Sequence, residues 1–213
     1  YWQTDKDAWT GYSAVSFVIL YNTNVVTYRE LPTGWDSLLE PRWKGRVAVP
    51  DPLKSDMAAS VLTEAAKNSE KEEFLDLLAE NMQYQMPETF KEVEQGISDG
   101  RYSIGVTSEE AAKAMLAAGQ DVDYIDPEEG ECFFEDGTAI RKRTPNLDAS
   151  EAFVTYTTCD DTKWLLRTQL LRQPAEDVAA ENDRSDEDLK QRYSRQQEVL
   201  NIWKLIMEEK SGS

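Results

Sequence analysis

Along this chain one apolar run stands apart from a series of shorter, periodic segments. Residues 14–21 are rich in β-branched and aromatic types and read as a buried strand. Pro32-Thr33-Gly34 marks a loop, Trp35 to Leu39 is long enough for one helical turn, and Arg46 to Val49 reads as a short strand stopped by Pro50-Asp51-Pro52. Ser55 stands at an N-cap position, followed at helical spacing by Met57, Val61, Leu62, Ala65 and Ala66. Phe74, Leu75, Leu78 and Met82 repeat the pattern in a second helix, and Phe90, Val93 and Ile97 in a third that opens at Pro87-Glu88-Thr89 and ends at Asp99-Gly100.

The middle of the chain continues the alternation. Residues 103–107 read as a strand, 108–118 as a helix with Ala111, Ala112, Met115 and Leu116 on its apolar side, and 122–125 as another short strand. Cys132 to Arg141 reads as extended, with a turn at Asp136-Gly137. Helices alternating with short strands between residues 46 and 126 predict an α/β sheet of parallel strands with crossover helices. Residues 149–171 read as two helices broken near Thr158-Cys159-Asp160-Asp161, residues 175–192 as a polar loop or solvated face, and 193–207 as a closing amphipathic helix carrying Val199, Leu200, Trp203 and Leu205.

Charge narrows the range of partners. The 213 residues include 23 basic and 41 acidic side chains, a formal net charge of −18. Residues 1–50 balance at 5 against 5, whereas residues 51–150 carry 9 basic and 23 acidic side chains. Such a surface repels nucleic acid and anionic lipid, so neither is expected as a partner. The chain has no histidine, which removes every Ser–His, Cys–His and His–metal mechanism. Cys132 and Cys159 match no zinc or CxxC spacing, and the sequence does not say whether they pair. No metal or other cofactor is expected. The longest apolar run, Val15 to Tyr21, is interrupted by Ser16 and falls short of the roughly 20 residues a membrane helix needs. The chain begins at Tyr1 rather than Met, which reads as a processed or trimmed chain, and Ser211-Gly212-Ser213 reads as a linker scar.

The best local site signal is the strand–loop–helix over residues 46–62. It runs through Asp51-Pro52-Leu53-Lys54 to Ser55, where free N–H groups and the positive end of the helix dipole gather. Thr107, Ser108 and Glu109 repeat the arrangement at the next helix start. Simple capping explains either feature alone. Both nevertheless follow strands of one expected parallel sheet, so they should open on the same edge, where open α/β sheets bind ligands. Glu128, Glu129, Glu131, Glu135 and Asp136 form an acidic cluster, Arg141-Lys142-Arg143 a brief basic patch, and Trp9 and Tyr12 are the aromatics best placed to wall a cleft. No motif marks a catalytic carboxylate pair, so a hydrolase or transferase is the least favoured class.

The order of segments carries a resemblance. It runs Trp9-Thr10-Gly11, a strand ending Tyr21-Asn22-Thr23, Leu31-Pro32, Trp35-Asp36-Ser37-Leu38-Leu39, and Pro41-Arg42-Trp43-Lys44-Gly45-Arg46-Val47-Ala48-Val49. It continues with Asp51-Pro52, Gly100-Arg101-Tyr102-Ser103-Ile104-Gly105-Val106-Thr107, Gly137-Thr138-Ala139-Ile140 and Thr144-Pro145-Asn146. Over residues 9–205 the chain resembles the extracellular solute-binding proteins of bacterial ABC importers, in the branch that includes ferric-iron, phosphonate and sugar-phosphate binders. The resemblance implies a type II periplasmic-binding-protein-like α/β fold with two lobes that close by hinge motion. On that reading residues 1–23 hold the opening segment and first hinge strand, 24–135 the second lobe, 136–145 the return hinge, and 146–210 the C-terminal helices of the first lobe. Most of the first lobe has no counterpart here.

The resemblance also implies a function without catalysis. The chain would be the binding component of an importer, periplasmic or extracellular, lipid-anchored in the full-length protein. It would hold a small polar or anionic solute in an interlobe cleft and hand it to an ABC permease. Its contacts would come from Trp9, Tyr12, Ser55, Asp56, Thr107, Ser108, Glu109 and Glu129. Ser55-Asp56-Met57 stands where relatives often carry Ser-Gly-Thr, which sets a carboxylate beside the first helix start. Tyr102 stands alone, without the adjacent tyrosine that ferric binders use, which counts against iron. The alternative is a sensor or interaction module, pairing with a complementary chain or a second copy through apolar faces of residues 149–171 and 193–207.

Overall fold

The structure, a computed structural model, describes residues 9–170, 172–179 and 186–211. Tyr1 and Gly212-Ser213, on which the trimmed-chain and linker readings rest, lie outside the described residues, as does part of the 175–192 segment.

Strand β1 spans Thr10–Asn22 and is buried along nearly its whole length. A strand covered on both faces needs apolar residues at consecutive positions, which is why the run at 14–21 shows no alternation. β1 ends where the buried Asn22 turns its side chain to the backbone: Nδ2 donates to the Ile97 carbonyl at 2.7 Å and Oδ1 accepts from the Asn24 amide at 2.9 Å. Short 3₁₀ turns at Tyr28–Glu30, Trp35–Leu39 and Pro41–Trp43 lead to β2, Val47–Ala48. Helices α1 (Asp56–Asn68), α2 (Phe74–Asn81) and α3 (Phe90–Ser98) follow, then β3 (Ile104–Ser108), α4 (Glu109–Ala117) and β4 (Val122–Ile125).

β5 is Cys132–Thr138. It runs unbroken through Asp136 and Gly137, so the expected turn is absent. Gly137 instead makes room for an aromatic ring: a Cβ there would lie 2.7 Å from Trp9 Cε3. Helices α5 (Leu147–Thr157) and α6 (Asp160–Leu165) break where expected, α6 passing into a π turn at Leu166–Leu170. β6 (Gln173–Pro174) pairs with β1 at Ser13 and Ala14. The expected loop over 175–192 is corrected in part, because α7 (Ala175–Ala179) and the start of α8 (Asp186–Ser211) are helical.

The chain divides into two compact units. The first takes in the chain up to Ser16 and Phe133–Tyr193, the second Phe17–Cys132 and the chain from Ser194. In the second unit the strand order is β2-β3-β1-β4. β2 and β3 are parallel, while β1 runs antiparallel to both β3 and β4. The sheet is therefore mixed rather than uniformly parallel. The long strand inserted between β3 and β4 enters from outside the local strand–helix repeat, and periodicity carries no sign of direction.

Val18, Leu20 and Ala48 pack with Val93 and Ile97 of α3, Ala112 and Met115 of α4, and Val122. Gly105 lets this layer close: a Cβ there would meet the Ala48 carbonyl oxygen at 2.4 Å and Val93 Cγ1 at 2.9 Å. Trp203 and Val199 of α8 are buried in this unit, whereas Leu205 is exposed. In the first unit Leu166 and Ala175 are buried, but Phe153, Tyr156, Trp164 and Leu170 are all more than half exposed. The apolar spacing of residues 149–171 thus forms helices without covering them. Among the described residues no helix is long and apolar enough to cross a membrane.

Candidate functional site

Strand direction in the second unit brings three loops to one edge. β2 and β3 run together, with Val47 opposite Ile104 and Ala48 opposite Gly105. β3 and β4 both oppose β1, with Ser108 across from Phe17 and Ile125 across from Ile19. All three strands therefore point the same way, and their carboxyl ends lie at the edge where Phe17 sits. The 49–55 loop, the β3–α4 junction and the 126–131 loop leave from that edge, the side on which open α/β sheets take ligands.

Two helices start from loops that leave this edge. Ser55 caps α1, its Oγ accepting from the Ala58 amide at 3.3 Å. Ser108 caps α4, its Oγ accepting from the Ala111 amide at 3.2 Å. Each side chain answers one of the four N–H donors that a helix start exposes. Asp51 shapes the first loop: its Oδ1 accepts from the Leu53 amide at 3.0 Å and its carbonyl from the Lys54 amide at 3.0 Å. Asp56 is exposed in the first turn of α1. Glu109, in the first turn of α4, pairs with Lys113 at 2.6 Å, one helical turn on. The edge therefore offers backbone donors with carboxylates beside them.

The other expected contacts fall elsewhere. Thr107 is fully buried, and its Oγ1 donates to Glu94 Oε1 at 2.7 Å, so its hydroxyl is turned into the protein. Glu129 follows β4 on the expected edge, but both its oxygens are engaged by backbone. Oε2 accepts from the Trp35 amide at 2.9 Å and Oε1 from the Asp36 amide at 3.0 Å. Its carboxylate caps the 35–39 turn, while Trp35 Nε1 donates to the Gly130 carbonyl at 2.9 Å. Trp9 and Tyr12 belong to the first unit. There Trp9 packs on Gly137, and Tyr12 lines a shallow recess with Thr158, Lys163 and Glu176. Among the described residues no group of three or more acidic or cysteine side chains is arranged to hold a metal.

Glu94 is the residue the sequence reading passed over. Burial pushes its carboxyl above the ordinary carboxylate range, and the nearby Glu110 pushes the same way, while the Thr107 bond and Lys91 oppose. The available signal was a second stripe on α3, Lys91, Glu94, Gln95 and Ser98, at helical spacing beside the apolar one.

Comparison with known proteins bears on the family and the fold. Residues 2–197 match the family model for bacterial extracellular solute-binding proteins. No curated protein matches the sequence. Among solved structures, the ferric binding protein from Campylobacter jejuni superposes with a TM-score of 0.77 at 14% identity, covering 96% of this chain and 72% of its own. AfuA from Actinobacillus pleuropneumoniae, a periplasmic binding protein solved with fructose-6-phosphate bound, gives 0.74 at 16% identity, covering 94% of this chain and 69% of its own. The periplasmic binding protein P5PA gives 0.64 at 22% identity over 77% of this chain, which spans only 54% of that protein's length. The mixed α/β architecture is the type II periplasmic-binding fold of these proteins. By a family match across nearly its whole length, the chain belongs to the bacterial extracellular solute-binding proteins.

Proposed function

We propose that the protein is the binding component of an ABC importer, acting in the periplasm or outside the cell without catalysis and delivering a small polar solute to a membrane permease. The observation that carries this reading is the convergence of two serine-capped helix starts, at Ser55 and Ser108, on the carboxyl edge of β2, β3 and β4. Their N–H groups suit an anionic or carbonyl oxygen. Asp56 and Glu109 beside them oppose a bare anion and accept from hydroxyls. A hydroxyl-rich solute with one anionic end, such as a sugar phosphate, meets both demands. Binding of fructose-6-phosphate by AfuA is in keeping with that chemistry.

Calorimetry with fructose 6-phosphate, glucose and inorganic phosphate tests the reading. Ser55→Gly and Ser108→Gly are the informative variants, because glycine at an N-cap costs only a few tenths of a kcal/mol. Both should weaken sugar-phosphate binding while leaving the melting temperature nearly unchanged. Affinity unaltered in both variants would remove the two serine side chains from the site.

A second reading rests on Phe153, Tyr156, Trp164 and Leu170, each more than half exposed in the first unit. Such a surface suits a complementary chain or a second copy, as a sensor or interaction module would need. Light scattering separates the readings: an obligate dimer without a ligand-induced thermal shift favours the second.

A further inference from the structure

We propose that the groove between α3 and α4 is a binding site for a small zwitterion, with Glu94 taking its ammonium group and Lys91 its carboxylate. α3 carries two stripes. Val93 and Ile97 are fully buried against the sheet. Lys91, Glu94, Gln95 and Ser98 recur at i, i+3, i+4 and i+7 and line a groove of about 280 Å³, closed on the α4 side by Met115 and Gln120. That volume is near the lower end of small-ligand pockets, about 300 Å³ upward.

Glu94 is held in place. Its Oε1 accepts from the buried Thr107 hydroxyl at 2.7 Å, while Oε2 accepts from none of the described residues. A carboxylate has further acceptor capacity once one lone pair is used. Lys91, in a chain with 41 acidic side chains, makes no ion pair within 4.0 Å among the described residues. The two charges stand three residues apart on one helix face, where Cβ atoms are about 5–6 Å apart. A cation alone would meet Glu94 but also Lys91. An anion alone would meet Lys91 but also Glu94 and, from α4, Glu110. A ligand carrying both charges matches the pair. Met115 gives it an apolar floor, and Gln95, Ser98 and Gln120 offer neutral hydrogen bonds.

The energetics support a role for Glu94 beyond the fold. Keeping this half-buried group charged at neutral pH opposes folding, whereas glutamine would accept the same Thr107 bond at no such cost. Residues that cost stability concentrate at functional sites.

The test is a ¹⁵N–¹H NMR titration of the chain with three probes of equal carbon number: β-alanine, propylamine and propionate. β-Alanine should give saturable shifts confined to residues 91–98 and 115–120, with an affinity at least tenfold above either single-charge probe. Glu94→Gln and Lys91→Gln should each abolish the response without lowering the melting temperature. Ser55→Gly should leave it intact, which separates this site from the one at the strand ends. β-Alanine binding no tighter than propylamine or propionate, shifts outside the groove, or wild-type binding in Glu94→Gln would each overturn the proposal.

Discussion

The Glu129 carboxylate fills the space that a side chain on Gly34 would need: a Cβ built there would lie 1.6 Å from Oε2. The backbone at Gly34 is extended, at φ −172°, a conformation any residue adopts, so the requirement is for room alone. Through that gap Glu129 reaches the Trp35 and Asp36 amides, fastening the loop after β4 to the turn at 35–39.

Gly34→Ala should therefore destabilise the protein by about 1–3 kcal/mol through overpacking. Glu129→Ala should cost about the same, since it removes an ionised acceptor from two backbone donors. In the Glu129→Ala background the Gly34→Ala penalty should shrink, because the clashing atoms are gone. Urea denaturation of the two single variants and the double variant measures the coupling. Strict additivity would separate the two residues.

Glu94 sets a pH dependence of unusual sign. Burial raises its carboxyl in the folded state above the ordinary value of 4.5, so between those two values the folded protein binds the extra proton. Its contribution to stability is fully present below 4.5 and is lost as pH rises through the raised value. Lys91 and Thr107 moderate the shift and Glu110 adds to it. Glu94→Gln should thus be more stable than wild type at neutral pH, with the difference closing below about pH 4. Thermal melts of both proteins from acid to neutral pH read this directly.

Cys132 and Cys159 are not joined in a disulfide, and their thiols should differ sharply in reactivity. Cys132 is 1% exposed and its S–H donates to the Val61 carbonyl. Cys159 is half-buried, and hydrogen bonds from the Thr162 backbone and then its hydroxyl hold its thiol below the usual range. A disulfide-exchange reagent at neutral pH should label one thiol per native chain, and Cys159→Ser should abolish that labelling. Two rapid equivalents in the native protein would contradict the burial of Cys132.

Added salt should stabilise the fold. At −18 the protein repels itself, while its ion pairs at Lys44–Glu80 and Arg101–Asp99 are exposed and contribute little. Raising monovalent salt from about 0.1 M to about 1 M shortens the screening length from about 10 Å to about 3 Å. The melting temperature should rise over that range. A fall would mean that the ion pairs outweigh the repulsion.

Much of the architecture was legible in the residues because it is locally encoded. The stripes Phe74, Leu75, Leu78, Met82 and Val93, Ile97 became buried helix faces, and Val122–Ile125 is the strand expected. Ser55, and one of Thr107 and Ser108, could be read as caps because an N-cap bonds within its own first turn; the structure gives that place to Ser108. Other features escaped for the opposite reason. Glu129 meets amides 93 and 94 positions away, and Thr107 meets Glu94 from a neighbouring helix. Gly137 reads as a turn until the Trp9 ring that lies over it is known.

The sequence by itself determined helices α1 to α6, the cap at Ser55, the buried central strand and the excess of negative charge, since each depends on neighbours within a turn or two or on composition alone. Only the tertiary structure decided strand direction, and with it which loops share an edge. It turned Thr107 and Glu129 inward and left Glu94 facing a groove. Those outcomes follow from packing between segments far apart in the chain, where a carboxylate's role depends on which donor reaches it first.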